Sequence, residues 1–262
     1  MPALARRQAL VRRLGRPDAL HARRSRQPRS RGEDCVTPLL HRLARRWPHA
    51  ARPRRRQRPE APQPDGSFST FADLSGLSDR GCNEIVVHPA GHIYVNNINF
   101  EFPGGQFEPG FIALVTPDGK ARKVADGLAF PNGMTILPGG KTLVCAESFT
   151  GNLTAFDIAA DGSLGNQRLW ANIGRQGHDG ICADAEGCIW TSAGPTVMRL
   201  REGGEVLDRI ELDRMCFAVM LGGADGRTLF MVANQWTGSI DVKNPTGRIY
   251  PRRHPARRPS IS

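Results

Sequence analysis

The sequence predicts an all-β protein of the β-propeller type, and three observations predict it. Turn triplets recur at near-constant spacing, short runs of strand-forming residues fill the intervals, and no run carries a helical period. The triplets are Pro64-Asp65-Gly66, Pro89-Ala90-Gly91, Pro117-Asp118-Gly119, Pro138-Gly139-Gly140, Ala160-Asp161-Gly162, Ala185-Glu186-Gly187, Glu202-Gly203-Gly204 and Ala224-Asp225-Gly226. Their spacing averages about 23 residues, so two hairpins make a unit of ~46, the length of a four-stranded propeller blade. A β-sandwich also uses short strands, but it does not repeat them at a fixed interval of this size.

The predicted strands, in order, are 111–116, 134–137, 142–146, 153–157, 189–192, 197–200 and 229–233, all rich in β-branched and large apolar residues. Alternate triplets carry a second feature. Six residues before those at 89, 138, 185 and 224 stand Asn83, Asn132, Asp179 and Ala218, each opening an apolar run. In a propeller the innermost strand of each blade starts at the central channel, so equivalent positions on successive blades face one another around the axis.

Asn132-Gly133 and Asp179-Gly180 also suit a tight type I′ hairpin turn. Two facts favour a shared site instead. A turn triplet follows only six residues later, which leaves room for one strand, and Asn83-Glu84 holds the same register without glycine. Three oxygen-bearing side chains on one register suit a hard cation, Ca²⁺, Mg²⁺ or Mn²⁺, and suit Zn²⁺ less well without histidine or cysteine.

The 262 residues are 39% hydrophobic and 23% charged, a balance that excludes collagenous, mucin-like and wholly disordered chains. The formal net charge of +11 would point to an anionic partner, but it is unevenly placed. Residues 1–64 carry +14, from 18 arginines and four acids, with nine prolines; residues 65–250 carry −7; residues 251–262 add +4. The predicted domains are therefore a disordered basic segment (1–64), the propeller (65–250) and a disordered basic tail (251–262).

Three readings compete for the basic N-terminal segment, one of them an organellar transit peptide, set behind the other two. Of these two, one is a nucleic-acid-binding arm on a non-catalytic metal- or partner-binding propeller. The other, which takes in the basic tail as well, is translation out of frame: with CGN codons, Arg54-Arg55-Arg56 shifted by one nucleotide reads as Val, Ala, Asp or Gly, the composition of a strand near a turn. No apolar run approaches the ~20 residues that cross a bilayer, and the first residues lack the apolar core of a secretory signal, so a soluble, cytoplasmic protein without a membrane partner is expected. The six cysteines show no CxxC or CxxH spacing and read as reduced, mostly buried thiols on strands.

At these same residues the sequence resembles the gluconolactonase, regucalcin and luciferin-regenerating-enzyme family of six-bladed propellers. The matching words are Cys82-Asn83-Glu84, the stretch from Gly127 through Phe130-Pro131-Asn132-Gly133-Met134, Ala146-Glu147-Ser148-Phe149, Asp179-Gly180-Ile181, and Met220 to Gly223 before Asp225-Gly226. The resemblance implies hydrolysis of a sugar lactone with one divalent metal ion (Ca²⁺, Zn²⁺, Mn²⁺ or Mg²⁺). It assigns Asn132 and Asp179 as metal ligands, Asp179 also as general base, and Asn83 as the contact to substrate or metal-bound water.

Three departures from the family pattern accompany it. The first-blade glutamate that completes the metal site has no counterpart in residues 1–64, where Glu33 and Glu60 sit in no matching word. Gly81 stands where an arginine often precedes the asparagine, with Arg80 beside it, and His178 replaces a proline and reads as a surface loop histidine. Residues 65–250 make about four blades of a six-bladed ring, so the ring is expected to be incomplete and its activity conditional on an intact first blade.

Overall fold

Each repeated triplet from Pro89 onward closes a hairpin. In all seven triplets from Pro89 to Gly226, the final glycine donates its N–H to the carbonyl three residues back at 2.8–3.2 Å. Every one of those glycines has φ between +70° and +94°, a region closed to most side chains. The computed structural model describes residues 60–62, 68–174, 177–236 and 246–259, which all fall within one compact unit, Cys35–Ser262. Every regular element among them is a strand.

Strands β1 (Glu60–Pro62) and β2 (Phe68–Thr70) form a two-stranded ribbon. Four antiparallel sheets follow as four propeller blades. The first is β3 (Cys82–Val87), β4 (Ile93–Asn97), β5 (Gly110–Val115) and β6 (Ala121–Leu128); the second is β7 (Pro131–Ile136), β8 (Thr142–Glu147), β9 (Asn152–Ile158) and β10 (Leu164–Asn172). The third is β11 (His178–Ala183), β12 (Ile189–Ala193), β13 (Thr196–Leu200) and β14 (Val206–Glu211), and the fourth is β15 (Met215–Gly222), β16 (Thr228–Asn234) and β17 (Arg248–Arg253). All seven triplets lie at the β3–β4 type of turn or at the third-to-fourth strand turn, so they occupy one end of the ring. The starts of the innermost strands β3, β7, β11 and β15 occupy the other.

The core lies between blades. Tyr94, Ile112 and Leu114 of blade one pack on Met134, Leu143 and Phe156 of blade two. Val144, Leu153 and Trp170 meet Ile181, Ile189 and Met198 of blade three, and Trp190, Val197 and Ile210 meet Val219, Leu221, Leu229 and Met231 of blade four. Each fully buried aliphatic side chain contributes at most about 1.5–3 kcal/mol. Blade one's outer face is covered by Ala72 and Leu74. Blade four's is not: Met220, Val232 and Ile249 are exposed on it.

The strand predictions correspond to β5, β7, β8, β9, β12, β13 and β16. The expected boundaries differ at both ends. Glu60–Pro62, assigned to the disordered segment, pairs with β2 across the Pro64-Asp65-Gly66 triplet. The basic tail likewise begins inside a strand: β17 pairs with β16 through Arg253, the Arg257 carbonyl accepts from Ala185 N–H at 2.7 Å, and the His254 ring stands edge-on to Trp190 at 4.8 Å. The reason is that an edge strand draws its order from its neighbour's backbone, which local composition does not register; Asp225 and Asp213 meanwhile pair with Arg253 and Arg248. The rest of the basic N-terminal segment, with Glu33 and all three readings of it, lies outside the described residues. Cys145, Cys182, Cys188 and Cys216 are free and buried, whereas Cys82, on the first blade's innermost strand, is exposed.

Candidate functional site

Asn83, Asn132 and Asp179 are each the second residue of an innermost strand, on three successive blades. All three strands carry a register shift at that point, between Cys82 and Ile85, Pro131 and Met134, and His178 and Ile181. A bulge frees two residues from the ladder and re-aims their side chains, which is how a strand start turns polar groups toward a channel.

The two glycines are explained by crowding, not by hairpin turns. Neither Gly133 nor Gly180 has positive φ. A Cβ on Gly133 would lie 2.5 Å from the Asp179 carbonyl oxygen, and one on Gly180 would lie 2.7 Å from Ala218 Cα. The innermost backbones approach that closely at the channel. The same contacts correct the fourth register position. Gly180 backs onto Phe217 and Ala218 as Gly133 backs onto Asp179 and Gly180. Phe217, not Ala218, therefore stands where the other blades carry Asn83, Asn132 and Asp179.

Hydrogen bonds link these positions from blade to blade. Asn83 Nδ2 donates to the Pro131 carbonyl at 3.1 Å, Asn132 Nδ2 donates to Ser148 Oγ at 3.2 Å, and Ser148 Oγ donates to the His178 carbonyl. Asn96 adds two more: its Oδ1 accepts from Glu84 N–H at 2.9 Å and its Nδ2 donates to the Asn132 carbonyl. Asn132 is buried, while Asn83, Glu84 and Asp179 are half-buried. Burial pushes the Cys216 thiol up to about 11, and the negative charge of Asp179 adds to the effect.

His178 is fully buried, unlike the surface loop residue expected. Its Nε2 bonds to the Gly151 carbonyl at 3.1 Å and its Nδ1 to Thr191 Oγ1 at 2.6 Å. An N–H must face the carbonyl, so Nδ1 is left to accept from the hydroxyl. Burial lowers the ring to about 4 and keeps it neutral. Both nitrogens are engaged, so neither can ligate a metal. Sequence reasoning picked out Glu147 and Ser148 within a matching word but gave them no role, and it missed Asn96. Glu147 is buried and takes Ala129 N–H at 2.6 Å and the Thr154 hydroxyl, which clamps the turn leading into Asn132.

The donor set suits a hard divalent cation in part. With its Nδ2 engaged by Ser148, Asn132 has its amide oxygen for a cation, and Asp179 occupies the same register one blade on. Such ions take six or more oxygens, so solvent or further groups would complete the shell. No cluster of three His, Cys, Asp or Glu side chains with metal-ligand spacing occurs among the described residues. None of those residues forms a helix long and apolar enough to cross a membrane.

A family model described as the SMP-30/gluconolactonase/LRE-like region matches residues 49–235, beginning inside the basic segment and ahead of the expected start near 65. A diisopropyl-fluorophosphatase of Loligo vulgaris is 27% identical over 128 residues, 42% of this chain and 39% of that enzyme, so the match spans well under half of the relative. A luciferin-regenerating enzyme superposes with a TM-score of 0.66 at 18% identity, covering 78% of this chain and 73% of the other. A calcium-binding regucalcin from Agrobacterium tumefaciens does so with 0.60 at 19%, covering 74% and 68%. Both structural likenesses bear on the fold, and the matched span carries the family: the chain belongs to the SMP-30/gluconolactonase/LRE-like family of β-propellers.

Proposed function

We propose that this chain is a divalent-metal-dependent hydrolase of lactones, with sugar lactones as the substrate class that the family's gluconolactonase suggests. The observation that carries the reading is the placement of Asn83, Asn132 and Asp179 at the bulged starts of three successive innermost strands, at one end of the channel. The calcium-binding relative supports a cation there.

Asn132 and Asp179 are the residues that would hold the ion. When bound, a divalent cation supplies Lewis acidity toward the lactone carbonyl and lowers the pKa of water. Asp179 takes a proton from the attacking water, whose oxygen bonds to the carbonyl carbon. The ring C–O bond then breaks, the alkoxide takes up a proton, and an open-chain hydroxy acid leaves. Asn83, tied to the Pro131 carbonyl, orients the substrate with its remaining amide oxygen. Proton release from glucono-δ-lactone tests the reading. Turnover should fall to the uncatalysed rate with EDTA, return with Ca²⁺ or Mn²⁺, and be lost in Asp179→Ala; no metal-dependent turnover of any lactone would overturn it.

A further inference from the structure

Five phenylalanines that the proposed reaction leaves unused converge beside the candidate site. Phe100, Phe102, Phe107, Phe130 and Phe149 come from three separate loops, yet their ring centroids stand 4.8–6.5 Å apart in tilted and edge-to-face pairs. Phe100 is buried at 6% exposure and anchors the group, while Phe102, Phe107 and Phe149 remain 51%, 45% and 42% exposed. Single exposed apolar side chains are ordinary, but a contiguous aromatic cluster on a monomer marks a contact surface.

Its position makes it part of the site. Phe130 directly precedes Pro131-Asn132, and Phe149 directly follows Ser148, which receives the Asn132 amide. The two segments are bonded together, Ser148 N–H to the Phe130 carbonyl at 3.0 Å and Phe149 N–H to the Ala129 carbonyl at 3.3 Å. Phe130 sits at φ +63°, a costly conformation for an aromatic residue that these bonds hold in place. The loop carrying Phe100, Phe102 and Phe107 is braced at both ends by Asn99, whose N–H bonds to Asn97 Oδ1 at 2.7 Å and whose Nδ2 bonds to the Pro109 carbonyl at 3.1 Å. On the fourth blade, Phe217 occupies the ligand register and packs at a tilt against the exposed Trp236, ring centroids 5.8 Å apart. Aromatic surface from three blades thus borders the site, where a polyhydroxylated ring alone would leave its hydroxyls facing carbon.

We infer that this phenylalanine wall is a substrate subsite for an aryl or alkyl substituent, so that the preferred lactone carries an apolar group beside the ring that is opened. The inference rests on the lactonase reading for its chemistry but not for its binding test. For the full chain with Ca²⁺, kcat/KM for a phenyl-substituted δ-lactone should exceed that for glucono-δ-lactone at least tenfold. Phe102→Ala and Phe149→Ala should each narrow that ratio about tenfold, and Phe→Leu at the same positions should narrow it less. In parallel, calorimetry with the matching phenyl-substituted lactam, which is not hydrolysed, should show binding that the two alanine variants weaken tenfold. If no lactone is opened but the lactam binds through these residues, the reaction assignment fails and the subsite stands. Equal affinity for phenyl-bearing and hydroxyl-bearing lactams, or a dimer that buries the wall and excludes both, overturns the subsite.

Discussion

Asn132 Nδ2 lies 3.2 Å from Ser148 Oγ, and that hydroxyl in turn donates to the carbonyl of His178, the residue before Asp179. One serine therefore sets the orientation of one proposed ligand and the backbone position of the next. Ser148→Ala should lower lactone kcat/KM about tenfold to hundredfold, the effect of removing a partner that orients metal ligands. It should also raise the Ca²⁺ concentration needed for half-activity, whereas Ser148→Thr, which keeps the hydroxyl, should restore most of both. Steady-state rates across a calcium titration check it.

Gly133→Ala and Gly180→Ala should each cost about 2–4 kcal/mol, because the new methyl meets neighbouring backbone at 2.5–2.7 Å and no side chain can move aside. Gly165→Ala, with open space around the added carbon, should lie within about 0.5 kcal/mol of the parent. Urea unfolding of the three variants gives the comparison.

Tyr94 donates its hydroxyl to the Gly162 carbonyl at 2.9 Å, joining blade one to the last turn of blade two. Burial pushes its ionisation up to about 12. The folded state thus keeps a proton that an unfolded tyrosine loses near pH 10, so stability declines as pH rises from about 10 to about 12. Tyr94→Phe should cost about 1 kcal/mol at neutral pH for the lost hydrogen bond and flatten this alkaline decline, as melting temperatures between pH 8 and 12 would show.

Asp184 is fully buried and pairs with Arg199 Nε at 2.8 Å, while also taking the Glu186 and Cys188 N–H groups at 2.9 and 3.1 Å. Arg199→Met leaves that carboxylate without its cation and should destabilise the fold by about 3–5 kcal/mol, more than the loss of any exposed ion pair. Denaturant midpoints for Arg199→Met and Arg201→Ala, the latter removing the exposed pair with Glu205, should differ accordingly.

The two faces of blade four provide a further contrast. Leu221→Ala, in the layer against blade three, should cost about 2–5 kcal/mol. Ile249→Ala, on the uncovered face, should cost under about 0.5 kcal/mol. Similar costs at the two positions in urea unfolding would mean that Ile249 is covered in solution.

Much of this molecule is legible in local chemistry. A turn needs particular residues at fixed offsets, so seven glycine triplets announced seven hairpins, and the strand runs between them needed only period and composition. The candidate positions Asn83, Asn132 and Asp179 were legible for the same reason, being counted from those turns. The roles of Ser148, Asn96 and Glu147 were not, because a residue that orients another does so across 16 to 36 positions of chain, and no local pattern names its partner. His178 misled for a related reason: a polar residue in a loop-like word is buried when a distant carbonyl and hydroxyl satisfy both its nitrogens.

The sequence by itself determined the repeat, the blades and the register on which the oxygen donors stand, since all three follow from interactions between near neighbours along the chain. Only the tertiary structure decided what surrounds that register. It brought five phenylalanines from three loops to one wall, placed Phe217 rather than Ala218 at the fourth register position, and gave the arginines after Tyr250 a strand to pair with. Those outcomes depend on packing and backbone bonding between segments far apart in sequence, and such contacts exist only once the blades are assembled.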